Sequence, residues 1–233
     1  MTPAPRDVAR AALGALLELV FPPRCAACGE PVSAEPFCAV CDGAVDPVPP
    51  GCARCGQPGP DPLCGACLAS PPAFDAVRAA GLFGGPLADA VHAFKYGGRP
   101  ALARPLGAWL ARRSPLPEGA VVVSIPLARA RRVSRGYDQA ALLADALARS
   151  AGRKRAVAAL RRVRETPPQV GKTREERARN VARAFEASAA VAGRDVVLVD
   201  DVVTTGATAD AAATALRRAG ARSVVVVALA RAE

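Results

Sequence analysis

Short, continuous apolar runs recur along the last two thirds of the chain. Residues 120–125, 196–199 and 223–229 are dominated by Val, Ile and Leu and lack the period-two alternation of a half-exposed strand. At this length and β-branched content they predict strands buried on both faces of a parallel sheet. Residues 76–82 and 157–162 add two further strand predictions. Between these runs, apolar positions recur at helical spacing over residues 86–94, 101–113, 136–149 and 209–219. Strands alternating with helices predict an α/β domain around a mostly parallel sheet.

The first 74 residues follow another pattern. Val8, Ala12, Leu16 and Leu19 lie at helical spacing and predict an amphipathic helix over residues 1–20. The stretch 11–21 is too short for a membrane span and holds Glu18, since spanning takes about 18–20 apolar residues. A basic start at Arg6 also lets it imitate a secretory signal, but the cysteines that follow call for a reducing compartment, so a cytoplasmic chain is expected. Phe21-Pro22-Pro23 ends regular structure, and Pro71-Pro72 marks a linker. The predicted units are therefore 1–20, 21–70 and 74–233.

All eight cysteines fall in four C-x-x-C pairs: Cys25 and Cys28, Cys38 and Cys41, Cys52 and Cys55, Cys64 and Cys67. Disulfides give no reason for four identical spacings, whereas two such knuckles close a tetrahedron of thiolates around zinc. Gly29 and Gly56 directly follow knuckles and supply the positive φ that turns amides toward sulfur. Sequential pairing gives two structural sites, Cys25, Cys28, Cys38 and Cys41, then Cys52, Cys55, Cys64 and Cys67; an interleaved cross-brace is the alternative. Few apolar residues surround them, so metal must supply the folding energy of this segment.

Charge sharpens the contrast between the two parts. Of the net +10, residues 1–74 carry 4 basic and 7 acidic side chains and the remainder carries 27 and 14. Between Arg129 and Arg183 there are 16 basic and 5 acidic side chains. Attraction for polyanions thus belongs to the second part, and would serve nucleic acid or a multiply phosphorylated small molecule.

The stretch 195–208, D-V-V-L-V-D-D-V-V-T-T-G-A-T, carries the most specific chemistry. An apolar strand runs into Asp200 and Asp201, then into Val203, Thr204, Thr205, Gly206, Ala207 and Thr208 at the start of a helix. Clustered backbone N–H groups at a helix N-terminus make a cradle for an anion. Carboxylates beside a phosphate repel it unless they serve neighbouring hydroxyls or a bridging metal ion, and a sugar phosphate supplies both. An ordinary loop with capping aspartates is the plainer alternative.

A second strand, 120–125, empties into a basic loop with Arg129, Arg131, Arg132 and Arg135, ahead of a helix opened by Gly136. Guanidinium groups grip phosphate bidentately. Parallel strands would set this loop at the same sheet edge as Asp200; a solvated arginine loop is the alternative. Lys95, Tyr96, Gly97, Gly98 and Arg99 read as a loop, either a turn or a flap onto phosphate. His92, the only histidine, has no acid or Ser partner in view and is not expected to be catalytic. Residues 164–180 lose apolar periodicity and read as a polar excursion, with a Thr173/Glu176 capping box opening a helix.

The acids and T-T-G-x-T turn resemble the phosphoribosyl-pyrophosphate (PRPP) motif of type I phosphoribosyltransferases. That resemblance implies ribose hydroxyls on Asp200 and Asp201, the 5′-phosphate in the 204–208 turn, and Mg²⁺. Together with F-P-P-x-C-x-x-C-G at 21–29, F-K-Y-G-G-R at 94–99, P-L-A-R-A-R-R-V-S-R-G-Y-D-Q-A at 126–140 and R-E-T-P-P-Q-V-G-K-T-R-E-E-R-A-R-N-V at 164–181, the chain resembles the ComF family. The family joins an N-terminal double zinc ribbon to a type I phosphoribosyltransferase (Rossmann-like) domain. Asp138 stands where the family usually has Asn. The resemblance implies a cytosolic PRPP-binding protein associated with DNA uptake in natural transformation.

Two functions follow as expectations. In one, a nitrogen nucleophile displaces pyrophosphate from the ribose, with Arg132 and Arg135 gripping the leaving group and Mg²⁺ beside Asp200 and Asp201. In the other, the chain handles single-stranded DNA, with competence-machinery proteins as partners, and keeps the PRPP site as a regulatory pocket.

Overall fold

The structure, a computed structural model, describes residues 22–164 and 184–232. The expected amphipathic helix at 1–20, and the polar excursion with its Thr173/Glu176 capping box, lie outside the described residues except at Arg164.

The core is a five-stranded, all-parallel sheet in the order β1-β7-β6-β2-β3. Its strands are β1 (Ala76–Leu82), β2 (Val121–Ser124), β3 (Lys154–Arg155), β6 (Asp195–Val203) and β7 (Ser223–Arg231). A separate antiparallel pair, β4 (Leu160–Arg162) and β5 (Phe185–Ala187), lies outside that sheet. The uninterrupted Val runs have the expected cause: β7 is buried from Val224 to Arg231, and β6 from Val196 to Val199.

The faces of the sheet are covered differently. On one side, helices α3 (Gly85–Tyr96), α4 (Ala103–Arg113) and α6 (Gln139–Ser150) bury Leu87, Phe94, Leu106, Leu110, Leu143 and Leu147 against Val122, Val197, Val225 and Val227. On the other, α7 (Ala207–Arg218) packs Ala209, Ala212, Ala213 and Leu216 against Val121, Val196, Leu198 and Val226, with Phe185 of β5 in the same cluster.

The cysteine-rich segment folds as two similar units. Each is a tight turn followed by a five-residue helix, α1 (Ala39–Gly43) or α2 (Gly65–Ala69), whose N-cap is Cys38 or Cys64. Gly29 and Gly56 adopt φ of +80° and +69°, where the missing Cβ removes the steric cost. The units sit on opposite faces of the sheet near edge strand β1. Cys25, Phe37, Cys41 and Val45 join the α3/α4/α6 core, and Cys52, Cys55 and Cys67 join the α7 core. The Asp46 carbonyl accepts from Leu82 N–H at 2.9 Å, so the segment also occupies part of the exposed β1 edge.

Several boundaries differ from the sequence reading. The basic loop is itself a helix, α5 (Arg129–Arg135), with no buried residue. Gly136, at φ +79°, ends α5 in the left-handed conformation instead of opening the next helix. Asp138 opens α6, its carboxylate accepting from Ala141 N–H at 3.0 Å. Lys95 and Tyr96 form the last turn of α3 and not a loop. The strand expected at 157–162 begins only at Leu160, after Ala158 at φ +57°. Strand β6 continues to Val203, because β7 offers it a ladder as far as Arg231.

Candidate functional site

The C-terminal end of β6 carries both acids inside a regular strand, and they have different surroundings. Asp200 is half-buried and lines a cleft with Val202, Val203, Thr204, Thr205, Gly206, Ala207, Thr208 and Ala209. Asp201, 5% exposed, faces α3 and α6. One carboxylate oxygen pairs with Lys95 Nζ at 2.7 Å and the other accepts from Gln139 Nε2 at 2.9 Å. Lys95 and Gln139 therefore join the site beneath the acids; F-K-Y-G-G-R and Y-D-Q-A carried them in the sequence, without any signal that they meet Asp201. Gln139 is also buried, and its Oε1 has no hydrogen-bond partner.

Burial pushes the Asp200 carboxyl up to about 7, and the charge of Asp201 adds to the rise. Lys95 and the Asp201 N–H, 2.8 Å from Asp200 Oδ1, act the other way. A half-buried carboxylate beside a second one favours a partner that brings positive charge or donor hydroxyls. Asp200 therefore fits Mg²⁺, which takes one or two carboxylates and completes its shell with water and phosphate oxygens.

Beyond the acids the chain turns at Gly206, whose φ of +78° places it in the left-handed region as the N-cap of α7. Gly206 brings no capping side chain, and Thr205 Oγ1 accepts from Ala207 N–H only at a long 3.5 Å. The first-turn N–H groups of α7 thus face the cleft side beside Thr204, Thr205 and Thr208, where the helix dipole is positive. The turn is braced from behind: the Phe74 ring lies 3.5 Å from where a Gly206 Cβ would stand. Asp210 accepts from Ala73 N–H at 2.7 Å.

The arginine segment occupies the same sheet edge, since Ile125 N–H donates to the Val199 carbonyl at 2.9 Å. Arg135 donates to the Tyr96 hydroxyl at 3.1 Å, with its guanidinium carbon 4.7 Å from the ring centre. Arg132 is exposed on α5, and neither arginine lines the cleft. Asp138 accepts from both Leu127 N–H and Ala141 N–H. Both contacts need an acceptor only, so an acid serves where the family usually has an amide. His92 is exposed, with its ring 5.7 Å from that of Phe83 and 6.1 Å from that of Tyr96.

The cysteines gather in two sequential tetrads, Cys25, Cys28, Cys38 and Cys41, then Cys52, Cys55, Cys64 and Cys67, with all sulfurs of a set within 4.8 Å of one another. In each set one pair, Cys28/Cys38 or Cys55/Cys64, is 3.7 Å apart. A zinc–sulfur bond of about 2.3 Å gives a tetrahedral edge of about 3.8 Å, so the donors fit zinc. Burial opposes ionisation of Cys25 and Cys52, but backbone N–H groups from both knuckles of each set outweigh it and hold both thiols at about 6. Burial and the neighbouring thiols push Cys41 up to about 12. The amides thus favour the thiolate at Cys25 and Cys52.

A sheet of parallel strands, a phosphate-type turn after paired acids and two cysteine tetrads define the class: a phosphoribosyltransferase-type α/β domain carrying a zinc-ribbon segment. The family model described as a phosphoribosyl transferase domain matches residues 137–233, and that described as a double zinc ribbon domain matches residues 16–70. The "DNA utilization protein YhgH" of Salmonella typhi is 36% identical over 91% of this chain and 99% of its own length. The "Competence protein F" of Haemophilus influenzae is 30% identical over 89% of this chain and 90% of its own. The chain belongs to the ComF family. Among solved structures, one titled as the allosteric regulatory enzyme of purine biosynthesis aligns over 59% of this chain and 30% of that chain, at 25% identity and a TM-score of 0.43, too partial to bear on the site. Among the described residues no helix is long and apolar enough to cross a membrane.

Proposed function

We propose that this protein binds PRPP with Mg²⁺ in the 200–209 cleft, as a phosphoribosyltransferase or a binding-only relative of one, in a pathway of DNA uptake. One observation carries the reading: Asp200, three Thr hydroxyls and the N-terminal start of α7 share one cleft at the C-terminal end of a parallel sheet. The turn would hold the 5′-phosphate and Asp200 a ribose hydroxyl, with Asp201 fixing the position of the strand end through Lys95 and Gln139. Bound Mg²⁺ would neutralise charge on the pyrophosphate. Arg132 and Arg135 would add to that neutralisation as a nitrogen nucleophile displaces pyrophosphate through an oxocarbenium-like transition state. The names of the two relatives support the link to DNA use and competence. Thiolate-rich tetrads support a reducing, cytoplasmic setting.

A second reading rests on α5, whose Arg129, Arg131 and Arg132 are exposed on a helix that buries nothing. Such a surface suits the backbone of single-stranded DNA, with the cleft as a regulatory pocket. Calorimetry separates the readings. PRPP with Mg²⁺ should bind, and Asp200→Asn should weaken it at least about tenfold, the loss of one charge-assisted contact. Unchanged affinity rejects the site. Pyrophosphate release on adding nucleobases then distinguishes transfer from binding alone.

A further inference from the structure

We propose that the second cysteine tetrad is a structural part of the phosphate turn, so that zinc at Cys52, Cys55, Cys64 and Cys67 and a ligand in the 200–209 cleft stabilise one another, while the first tetrad stands apart. The inference rests on the reading of the cleft as a PRPP site and adds to it a positioning role for Phe74 and Arg231.

A shared buried cluster and three contacts link the second unit, the segment that follows it and the turn. Cys52, Cys55 and Cys67 share one buried cluster with Phe74, Val203 and Ala209. Phe74, 2% exposed, sets its ring tip against Gly206. Its neighbour Ala73 donates to Asp210 in the first turn of α7. Arg231, 3% exposed, donates to the Cys55 carbonyl at 2.9 Å and to Gln57 Oε1 at 2.7 Å, and it stands opposite Val203 in the β6–β7 ladder. Thus the knuckle of the second tetrad, the last residue pair of the ladder and the bend at Gly206 form one packed block.

The first tetrad lacks these links. Cys25 and Cys41 belong to the opposite core, and among the described residues the side-chain polar contacts of that unit with the α/β domain run to α4, from Trp109 Nε1 and Arg113 to Asp42 and from Arg112 to Glu35, with its Asp46 carbonyl on β1. Metal binding supplies folding free energy to such small units. A unit folded by its metal holds Phe74 and the Cys55 carbonyl in place; without the metal, the bend at Gly206 loses its backing. Coupling between two binding equilibria is reciprocal, so PRPP should in turn retain the second zinc ion.

The test uses the full chain loaded with two zinc ions, challenged with a chromophoric zinc chelator with and without PRPP and Mg²⁺. Saturating PRPP should slow the release of one equivalent by at least about fivefold, the lower end of ordinary coupling, and leave the other unchanged. Release from a Cys64→Ser chain, which keeps only the first complete tetrad, should not respond to PRPP. Phe74→Ala should abolish the protection and weaken PRPP, and Phe74→Met should restore both. If calorimetry shows PRPP bound while both equivalents leave at unchanged rates, the coupling is overturned. If PRPP does not bind at all, the ligand reading fails by itself. Amide hydrogen exchange at 204–209 in Phe74→Ala then decides the positioning role: faster exchange there than in the native chain supports it, and equal exchange overturns it.

Discussion

The contact between Lys95 and Asp201 gives the sharpest test of the site's construction. The two charges lie 2.7 Å apart with side chains 16% and 7% exposed. At an effective dielectric of about 20, their attraction is about 6 kcal/mol before desolvation is subtracted. Lys95→Met removes the cation and leaves Asp201 with the Gln139 amide as its remaining side-chain donor. Removing one partner of a buried pair costs about 3–5 kcal/mol, and the surviving Gln139 bond argues for the lower end. For a chain of this size about 3 kcal/mol lowers Tm by about 6–12 °C. Asp201→Asn should cost less, because partly exposed Lys95 can turn to water. The double variant Lys95→Met/Asp201→Asn should be more stable than Lys95→Met alone, since no uncompensated buried charge remains. Urea unfolding of the zinc-loaded chains measures all three. A Lys95→Met chain as stable as the native one, or a double variant whose loss equals the sum of the single losses, would refute the reasoning.

Asp200 makes stability depend on pH. Its ordinary value is 3.8 and its folded value is about 7, so between those limits the folded chain keeps a proton that the unfolded chain has released. Stability from this group therefore falls as pH rises from about 4 to about 7 and is level above. Asp200→Asn should flatten that slope in thermal melts at pH 5 and pH 8, and Mg²⁺, which needs the ionised form, should bind more tightly as pH rises through 7. Gly206→Ala should destabilise by about 1–2 kcal/mol from the left-handed backbone alone. Its new Cβ would meet Phe74 at an ordinary 3.5 Å, so urea unfolding should show that loss without the larger penalty of a clash. Native mass spectrometry should find two zinc ions per chain, and chelation should expose all eight thiols to alkylation.

The legible parts of this protein are those fixed by short-range chemistry. Four C-x-x-C turns within 43 residues specify two tetrads because each pair closes locally. Strands buried on both faces announce themselves as runs of Val. What the chain order concealed is of two kinds. Helix α5 has no apolar periodicity because none of its residues is buried, so apolar spacing is silent and only the good helix propensity of Arg speaks for it. The partners of Asp201 lie 106 and 62 residues away in sequence, on α3 and α6; only the packing of those helices on the sheet brings them together.

Strand pairing likewise keeps the two adjacent acids from sharing one task. The sequence suggests a strand that stops at Val199 and a polar loop beyond it, in which Asp200 and Asp201 would both turn toward a ligand. The ladder with β7 instead continues through Asp200↔Ala228 and Val202↔Ala230, and a regular strand sends successive side chains to opposite faces. One carboxylate must therefore look toward α7 and its cleft, and the other toward α3 and α6. Asp201 meets Lys95 and Gln139 there and is satisfied within the protein. Asp200 is left beside the start of α7, half-buried, with its proton held to about 7. The strand's period of two, more than the identity of the residues, makes Asp200 the group open to a ligand and Asp201 the group that anchors it.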